Sequence, residues 1–488
     1  MKQSFYEIFS ELNRIPRPSH HEGPAADFLC QFAQKLGLNY RRDNHNCVVI
    51  EKPASPGCEN AAPVVILNHM DMVCVAQDGY LRDGRPFDPL NDEIRPYIET
   101  DENGVRWMKA EGTSLGADNG VGLAMALAIL ADDDIKHPAL EVLTTTNEED
   151  GMSGAEGLSL DFIKGRKIVN LDSEAYDEIT VGAAGAYLQV AHWTPEWKPV
   201  PAGWQMRRLV IDGGLGGHSG VEINKGRFNC NQLMAQFFAT KNWPCENENI
   251  VLCAINGGTA NAAIPSHCHA IVAVNNLDAL AQAVEKWDAV IKAKYGVNDP
   301  KVSMRIEDAE PCENYIGNAA QLLSCLASLP CNMLAMRDDM PGTVMTSNNM
   351  GVISTQPTDI SASCHTRSFS NEEMRRLARN IADTCTAHGA ARVDTLMDTG
   401  SWMEDPNSQL IELTCQCFKD VLGFEPRKMA MHFVLESAYY VEKYPGCEIV
   451  SMGPLIIEPH STCERINLDT ADNIWAVTKE LITRLAQA

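Results

Sequence analysis

The chain lacks the sequence features of several large protein classes. Its 488 residues carry 40 Lys and Arg against 65 Asp and Glu, a formal net charge of −25, so the basic surface that nucleic acid requires is missing. The longest apolar stretch, residues 121–130, is too short to span a bilayer. No C-x-x-C pair occurs among the 17 cysteines, which indicates buried free thiols in a reducing compartment.

Motifs of nucleotide-binding proteins and serine hydrolases are also missing or incomplete. No Walker-type GK[ST] occurs, and GGLGGHSG departs from G-x-G-x-x-G because Ser219 replaces the last glycine. The GTSLG segment, centred on Ser114, does match G-x-S-x-G, but a nucleophile elbow needs a helix that begins at the serine. Here the apolar helix is expected to begin only at Val121, so we do not expect a serine nucleophile.

The N-terminal segment predicts a helix rather than a targeting sequence. MKQSFYEIFSELNRI has apolar residues at helical spacing and lacks the h-region and cleavage site of a signal peptide. We therefore expect a cytoplasmic protein with no membrane partner. A length of 488 residues exceeds one hydrophobic core and predicts two or three domains.

The alternation of apolar strands and helices changes twice along the chain. In the first third it predicts a mostly parallel sheet, and the same pattern resumes near residue 401. Between these parts, helices and short strands predict an inserted α+β domain. We therefore predict an α/β fold with a catalytic domain formed by residues 1–185 and 401–488, and an inserted lid domain formed by residues 186–400.

The clearest elements can be bounded from hydrophobic spacing. Ser370 and Glu373 also predict a capping box at one helix start. The predicted strands are 64–67, 139–145, 167–171 and 447–452, and the predicted helices include 121–130, 229–239, 277–294, 407–422 and 468–485.

Acids and histidines follow several of these apolar segments. Ligands gather outside the carboxyl ends of parallel strands, so these side chains are expected to converge there. They would repel one another unless cations neutralised them, and mixed oxygen and nitrogen ligands suit zinc-like ions. The set comprises His69 and Asp71 in NHMDMV, Asp118 in GADNG, Glu148 and Glu149 in TTTNEED, Asp172 in NLDSE, and His460 in EPHST.

Each of these motifs by itself has a commonplace structural interpretation. An isolated H-x-D is usually a surface turn, Asp118 could be a helix N-cap, and an acidic pair is usually a solvated turn. The residues also support a division of labour. Adjacent side chains on an extended chain point in opposite directions, so one of Glu148 and Glu149 can bind metal while the other serves as general base.

Taken in order, the motifs resemble one family of metallopeptidases. H-x-D, GADNG, the glutamate pair, NLDSE, GGHSG and a late P-H are similar to the dinuclear-zinc dipeptidases of the Xaa-His type, which are related to carnosinases and aminoacylases. The resemblance implies hydrolysis of dipeptides by a water that bridges two divalent ions. Zinc is the expected metal, with manganese or cobalt as alternatives.

The resemblance also implies a role for each residue. Asp118 would bridge both ions, and Glu148 would be the general base. Asp71 would orient His69, and His218 in the lid would stabilise the oxyanion. The implied metal ligands are His69, Asp118, Glu149, Asp172 and His460, and the implied groups for the substrate's C-terminal carboxylate are Asn261 and Arg367.

One segment departs from the family pattern. The family reads H-A-G-L-E-C-G where this chain has His432-Phe-Val-Leu-Glu436-Ser, so His432 and Glu436 stand at the substrate-binding positions while Phe433 and Val434 replace small residues. We therefore expect the enzyme to accept either dipeptides with a C-terminal histidine or a broader range of dipeptides. N-acyl amino acid deacylation, a catalytically silent peptide-binding role and homodimerisation through the lid are the further alternatives.

Overall fold

The computed structural model describes residues 3–239, 249–403 and 405–487. The chain forms two compact units. Unit 1 comprises Met1–Gly182, Glu404–Ala430 and Glu436–Ala488, and unit 2 comprises Ala183–Met403 and Met431–Leu435. The sequence boundaries at residues 185/186 and 400/401 lie within three residues of these limits, but Met431–Leu435, which was placed with the catalytic domain, belongs to unit 2.

The described residues contain helices and strands along the whole chain. The helices are α1 (Phe5–Leu12), α2 (Gly23–Leu36), α3 (Ala117–Ala131), α4 (Ser153–Gly157), α5 (Cys230–Ala239), α6 (Leu277–Tyr295), α7 (Ala319–Ser328), α8 (Asn371–Ala387), α9 (Gln409–Leu422), α10 (Ser437–Lys443) and α11 (Leu468–Leu485). The strands are β1 (Asn39–Arg42), β2 (Val48–Lys52), β3 (Val64–His69), β4 (Leu81–Arg82), β5 (Arg85–Pro86), β6 (Pro96–Thr100), β7 (Arg106–Ala110), β8 (Leu140–Thr145), β9 (Lys167–Asn170), β10 (Glu178–Ala183), β11 (Gly185–Trp193), β12 (Trp197–Pro199), β13 (Gln205–Asp212), β14 (Ile250–Gly257), β15 (Cys268–Val274), β16 (Ser303–Asp308), β17 (Asn314–Ile316), β18 (Asn332–Met336), β19 (Val344–Thr355), β20 (Ile360–Ser368), β21 (Arg392–Thr399), β22 (Arg427–Met431), β23 (Glu448–Ser451), β24 (Ile456–Ile457) and β25 (Arg465–Asn467).

Unit 1 is built on an eight-stranded sheet in the order β1-β2-β8-β3-β9-β23-β10-β22. The central strands β8, β3, β9 and β23 are parallel, whereas β1, β2 and β10 pair antiparallel. The α/β class is therefore confirmed, with parallel pairing confined to the centre. Because β3, β8 and β9 run in the same direction, the loops that follow them leave the sheet at one edge.

The helix that begins beside this edge is hydrophobic on every side. In α3 every residue except Asp118 is buried, as expected for a helix enclosed by the core rather than one with a polar face. Asp118 has non-helical backbone angles (φ −85°, ψ 114°) and caps no backbone N–H. The N-cap interpretation of Asp118 is therefore wrong, and its carboxylate is free for other contacts.

Unit 2 contains an antiparallel sheet in the order β16-β13-β15-β14-β19-β20-β11-β21, with β18 added alongside β19. Residues from α5 to α8 pack with the sheet in one hydrophobic core, which includes Trp193, Phe238, Leu280 and Leu326. The predicted α+β character of this region is confirmed. None of the helices in the described part of the chain is long and apolar enough to cross a membrane.

The predicted helices and strands agree best with the structure where hydrophobic spacing in the sequence is clear. Helix α11 spans the predicted residues 468–485, and β3, β8, β9 and β23 overlap the predicted strands. The capping box at α8 is half formed. Ser370 accepts the Glu373 backbone N–H, but the Glu373 carboxylate pairs with Arg376 instead of returning to the cap.

Candidate metal centre

The first group of candidate ligands surrounds His69, the last residue of β3 in unit 1. His69 is 1% exposed, and its Nε2 lies 3.2 Å from Asp118 Oδ1 and 3.3 Å from Asp172 Oδ1. Its Nδ1 lies 3.1 Å from the Asp71 carbonyl oxygen and 3.6 Å from Asp71 Oδ1. One nitrogen thus faces the two carboxylates while the other faces Asp71, which is the arrangement that fixes an imidazole for metal binding.

The second group surrounds His460, which lies in the loop between β24 and β25. His460 Nε2 is 3.0 Å from Asp118 Oδ2 and 2.8 Å from Glu149 Oε2. Asp118 therefore contacts one histidine with each carboxylate oxygen and belongs to both groups. One ligand atom from each of His69, Asp118 and Glu149 lies within 4.8 Å of the others.

These carboxylates are crowded in a poorly solvated place. Burial raises the pKa of Asp172 to about 7, with the nearby Asp118 charge acting in the same direction. Burial would also raise the pKa of Asp118, but hydrogen bonds from His460 and His69 outweigh it and lower that pKa. Hydrogen bonds to Asp118 and Glu149 raise the pKa of His460 to about 11. The site thus concentrates negative charge that the two histidines only partly offset.

The residues fit divalent metal ions for two reasons, the chemistry of their donor atoms and a buried oxygen that lacks a hydrogen-bond partner. Glu149 Oε1 is buried and has no hydrogen-bond partner among the described residues, a costly condition for a polar atom unless a ligand completes it. Imidazole nitrogens and carboxylate oxygens together are the donor set that zinc takes in proteins.

Asp71 organises the loops as well as the His69 ring. It is fully buried, and its carboxylate accepts hydrogen bonds from Ser19 Oγ and from the backbone N–H groups of Glu148 and Glu149, at 2.8, 3.1 and 3.2 Å. Burial alone would raise its pKa, but the contacts with His69 and these donors hold the pKa below its ordinary value. Asp71 thus fixes the loop that presents both glutamates.

Glu148 lies beside the ligand groups, and its pKa is shifted upwards. Burial raises its pKa well above the ordinary value; the positive charge of His69 opposes the shift, and the charges of Asp172 and Glu436 add to it. A carboxylate with a raised pKa can take up a proton near neutral pH, as a general base must.

Two positioning residues have no signal in the sequence. The buried Glu464 carboxylate accepts the backbone N–H groups of Leu115, Gly116 and Ala117 at 2.7, 3.0 and 2.8 Å. The buried Arg17 donates to the carbonyl oxygens of Gly116, Met70 and Asp71. Together they hold the chain immediately before Asp118. Their partners are backbone atoms distant in sequence, so composition and spacing do not identify either residue.

Ser114 is a structural residue. Ser114 is fully buried. Its hydroxyl donates to the Val73 carbonyl oxygen at 2.7 Å and accepts a hydrogen bond from the Val75 N–H at 3.1 Å. An enclosed hydroxyl bonded to backbone on both sides is not placed to attack a substrate, as the sequence predicted.

Unit 2 contains four of the five remaining candidates, namely His218, Asn261, Arg367 and His432. An isolated bridge pairs His218 with Ala263, two residues after Asn261. Arg367 on β20 is opposite Ser347 on β19, and Ser347 Oγ lies 2.8 Å from His432 Nε2. Burial, together with the Arg367 charge, lowers the pKa of His432 to about 3 and also lowers that of His218.

The departing segment crosses the boundary between the units. Phe433, in unit 2, packs edge-to-face on the His218 ring, with ring centroids 5.8 Å apart. Glu436 begins the return to unit 1, where it is 3% exposed and burial raises its pKa to about 8. The two candidate substrate residues His432 and Glu436 therefore belong to different units.

Comparison with known proteins identifies the family. The model of peptidase family M20/M25/M40 matches residues 65–484. This chain belongs to that family. It is 31% identical over 487 residues to the cytosol non-specific dipeptidase of Escherichia coli K12, an alignment that covers 99% of this chain and 98% of the relative.

Solved structures of other peptidases resemble this chain. Aminoacylhistidine dipeptidase from Vibrio alginolyticus matches with a TM-score of 0.88 and 32% identity, over 98% of this chain and 96% of that chain. Aminopeptidase PepT from Bacillus cereus matches with a TM-score of 0.56 and 15% identity, over 100% and 99% of the two chains, a likeness of fold alone. Assignment to the metallopeptidases and to enzymes that hydrolyse peptide bonds is thereby confirmed.

Proposed function

We propose that this M20 peptidase hydrolyses dipeptides with two divalent metal ions, zinc by preference. The supporting observation is the pair of ligand groups that share Asp118, one with His69 and Asp172, the other with Glu149 and His460. Manganese or cobalt could take the same donors. The names of the E. coli and Vibrio relatives support a dipeptide substrate, and the former supports a cytoplasmic location.

When bound, such ions supply Lewis acidity that lowers the pKa of a water ligand and polarises a carbonyl. The chain's own residues would do the rest. Glu148 would take a proton from the attacking water at a carboxylate oxygen and pass it to the leaving amine. Asp71 would hold the Glu148 backbone and the His69 ring in place.

Unit 2 would supply the groups that bind the substrate. His218 would donate a hydrogen bond to the developing oxyanion, a type of contact worth about 10²–10³ in rate. Arg367 and Asn261 would bind the C-terminal carboxylate. Arg367 is 4% exposed, and its Nε has no hydrogen-bond partner among the described residues, so a bound carboxylate would compensate its charge.

A substrate panel tests this function. The purified protein, loaded in turn with Zn²⁺, Mn²⁺ and Co²⁺, is assayed on dipeptides with a free amino group and on the matching N-acetyl amino acids. We expect hydrolysis of the dipeptides, with kcat/KM at least about tenfold above that for the acetylated compounds. Preference for the acetylated compounds would identify a deacylase, and no turnover of either by metal-loaded protein would support a silent peptide-binding role.

A further inference from the structure

Strand β20 of unit 2 carries a second buried group beside Arg367 that the proposed mechanism does not use. His365 is two residues before Arg367, so both side chains lie on one face of the strand. His365 is 6% exposed, and among the described residues neither ring nitrogen makes a hydrogen bond of normal geometry, the Asn261 backbone being the polar group that interacts with the ring. Two unpaired nitrogens in a buried ring are unusual, because buried polar groups are normally satisfied.

The neighbours of His365 on the same face are already engaged. Asn349, opposite His365 on β19, donates to the carbonyl oxygens of Asn261 and Ala263 at 3.0 and 2.8 Å and accepts from Asn229. Ser347, opposite Arg367, is bonded to His432. The neighbouring polar groups therefore hold the loop and His432 in place, and His365 and Arg367 are left with open hydrogen-bonding capacity.

The charged groups that act on His365 are positive. His365, His218 and His432 all experience the positive charge of Arg367, and of these three only His218 also experiences a negative charge, that of Glu222. Among the described residues of unit 2, no acidic side chain forms an ion pair with Arg367. A cationic substrate side chain would therefore meet repulsion and no counter-charge, whereas an anionic one would gain both the field and a donor.

The ring of His365 is suited to donate rather than to carry charge. Burial, followed by the charge of Arg367, holds its pKa well below the ordinary value, so the ring is neutral near pH 7. A neutral imidazole offers one N–H donor and one acceptor nitrogen. A carboxylate can accept a hydrogen bond from that N–H. A cationic group could instead donate to the acceptor nitrogen, but the positive charge of Arg367 would repel it.

We infer that His365 is a specificity-determining residue that binds an acidic side chain of the substrate's C-terminal residue, so that dipeptides ending in Asp or Glu are preferred. This inference rests on the proposed dipeptidase function, in which Arg367 binds the α-carboxylate. His365 then recognises the second carboxylate of the same residue.

The test compares an acidic substrate with its neutral isostere. The kcat/KM values for Ala-Glu and Ala-Gln are measured with the metal-loaded full chain, because their ratio cancels effects common to both substrates. We expect a ratio of about 10 to 100 in the unmodified protein, the value of one hydrogen bond to a charged group. His365→Leu should reduce the ratio about tenfold, and His365→Gln, which keeps an N–H donor, should restore part of it.

His269→Leu serves as the matched control. His269 is a half-buried histidine on β15 of the same sheet, with an unpartnered Nδ1, and it has no part in the proposed site. Its substitution should leave the Ala-Glu to Ala-Gln ratio unchanged.

Three results would overturn the inference. The first is a ratio near or below 1 in the unmodified protein. The second is an equal loss of kcat/KM on both substrates in His365→Leu, which would mean that the ring contacts a part of the substrate common to all dipeptides. The third is no hydrolysis of any dipeptide, which would refute the proposed function as well. Hydrolysis of dipeptides without acidic preference would refute the inference alone.

Discussion

At the scale of single residues, we propose that the two adjacent glutamates divide metal binding and proton transfer between them. Glu149 contacts His460 at 2.8 Å and shares its group with Asp118, whereas the Glu148 side chain is in neither ligand group. Their backbone N–H groups are both fixed by Asp71. The residues alone predicted that the pair would divide these roles but did not say which glutamate takes which.

Glu148→Gln is expected to lower kcat by at least about 10²-fold, the usual contribution of a general base, because an amide cannot take up the proton. Metal content should stay at the level of the unmodified protein. Both quantities are accessible, by steady-state kinetics on a dipeptide and by elemental analysis of the purified protein.

The matched variant is Glu149→Gln, which should lose metal because the amide is a weaker ligand than the carboxylate. If Glu148→Gln lost metal while Glu149→Gln retained it, the two roles would be reversed.

At the scale of elements, the sequence predicts what local patterns determine. Helix α11 has its apolar residues at helical spacing and is bounded correctly, and β3, β8 and β9 are recognisable as short apolar runs. Strands such as β6 are largely exposed and show no alternation of buried and exposed residues, so their sequence does not predict them. The antiparallel edges of the central sheet depend on pairing between distant segments, which local patterns do not record.

The candidate site shows the same limit. Candidate ligands such as His69 and Asp172 follow recognisable strands, so their convergence could be expected from the sequence. Glu464 and Arg17 act on backbone atoms hundreds or tens of residues away, and only the folded chain reveals them. The two residues hold the turn at Gly116, where φ is +68° and an added Cβ would lie 2.5 Å from Met72 Sδ.

Glu464→Ala is expected to weaken metal binding about 10- to 100-fold, as loss of a supporting residue typically does. Three buried N–H groups before Asp118 would lose their acceptor, and the carboxylate that both ligand groups share would no longer be held in place. Isothermal titration of the metal-free protein with Zn²⁺ measures the change without reference to activity.

Glu458→Gln is the control for this variant, because Glu458 lies in the same loop with a side chain that is 55% exposed. Glu464→Gln keeps one carbonyl acceptor and should fall between the two. Unchanged Zn²⁺ affinity in a folded Glu464→Ala protein would show that the loop holds its shape without this carboxylate.

At the scale of the whole molecule, stability should depend on the buried histidines of unit 2. Burial lowers the pKa of His432 to about 3 and holds that of His365 well below its ordinary value. Below about pH 6.5 the unfolded chain binds protons that the folded chain does not, so the free energy of unfolding should fall as the pH is lowered towards 3. Above pH 6.5 these two groups should contribute no pH dependence.

Urea denaturation of the metal-free protein at several pH values measures this effect. Each such histidine adds up to about 1.4 kcal/mol per pH unit to the slope, and His432→Gln or His365→Leu should remove its share. Identical slopes in the variants and the unmodified protein would show that these rings take up protons in the folded state.

The central claim is that residues from the first 172 positions and from the last 30 bind a pair of metal ions. Crystals of the zinc-loaded protein, measured with anomalous scattering at the zinc edge, test it most directly. We predict two peaks in unit 1, one contacting His69 and Asp172, the other contacting Glu149 and His460, and both contacting Asp118. A single peak, or zinc bound away from His460, would contradict the account.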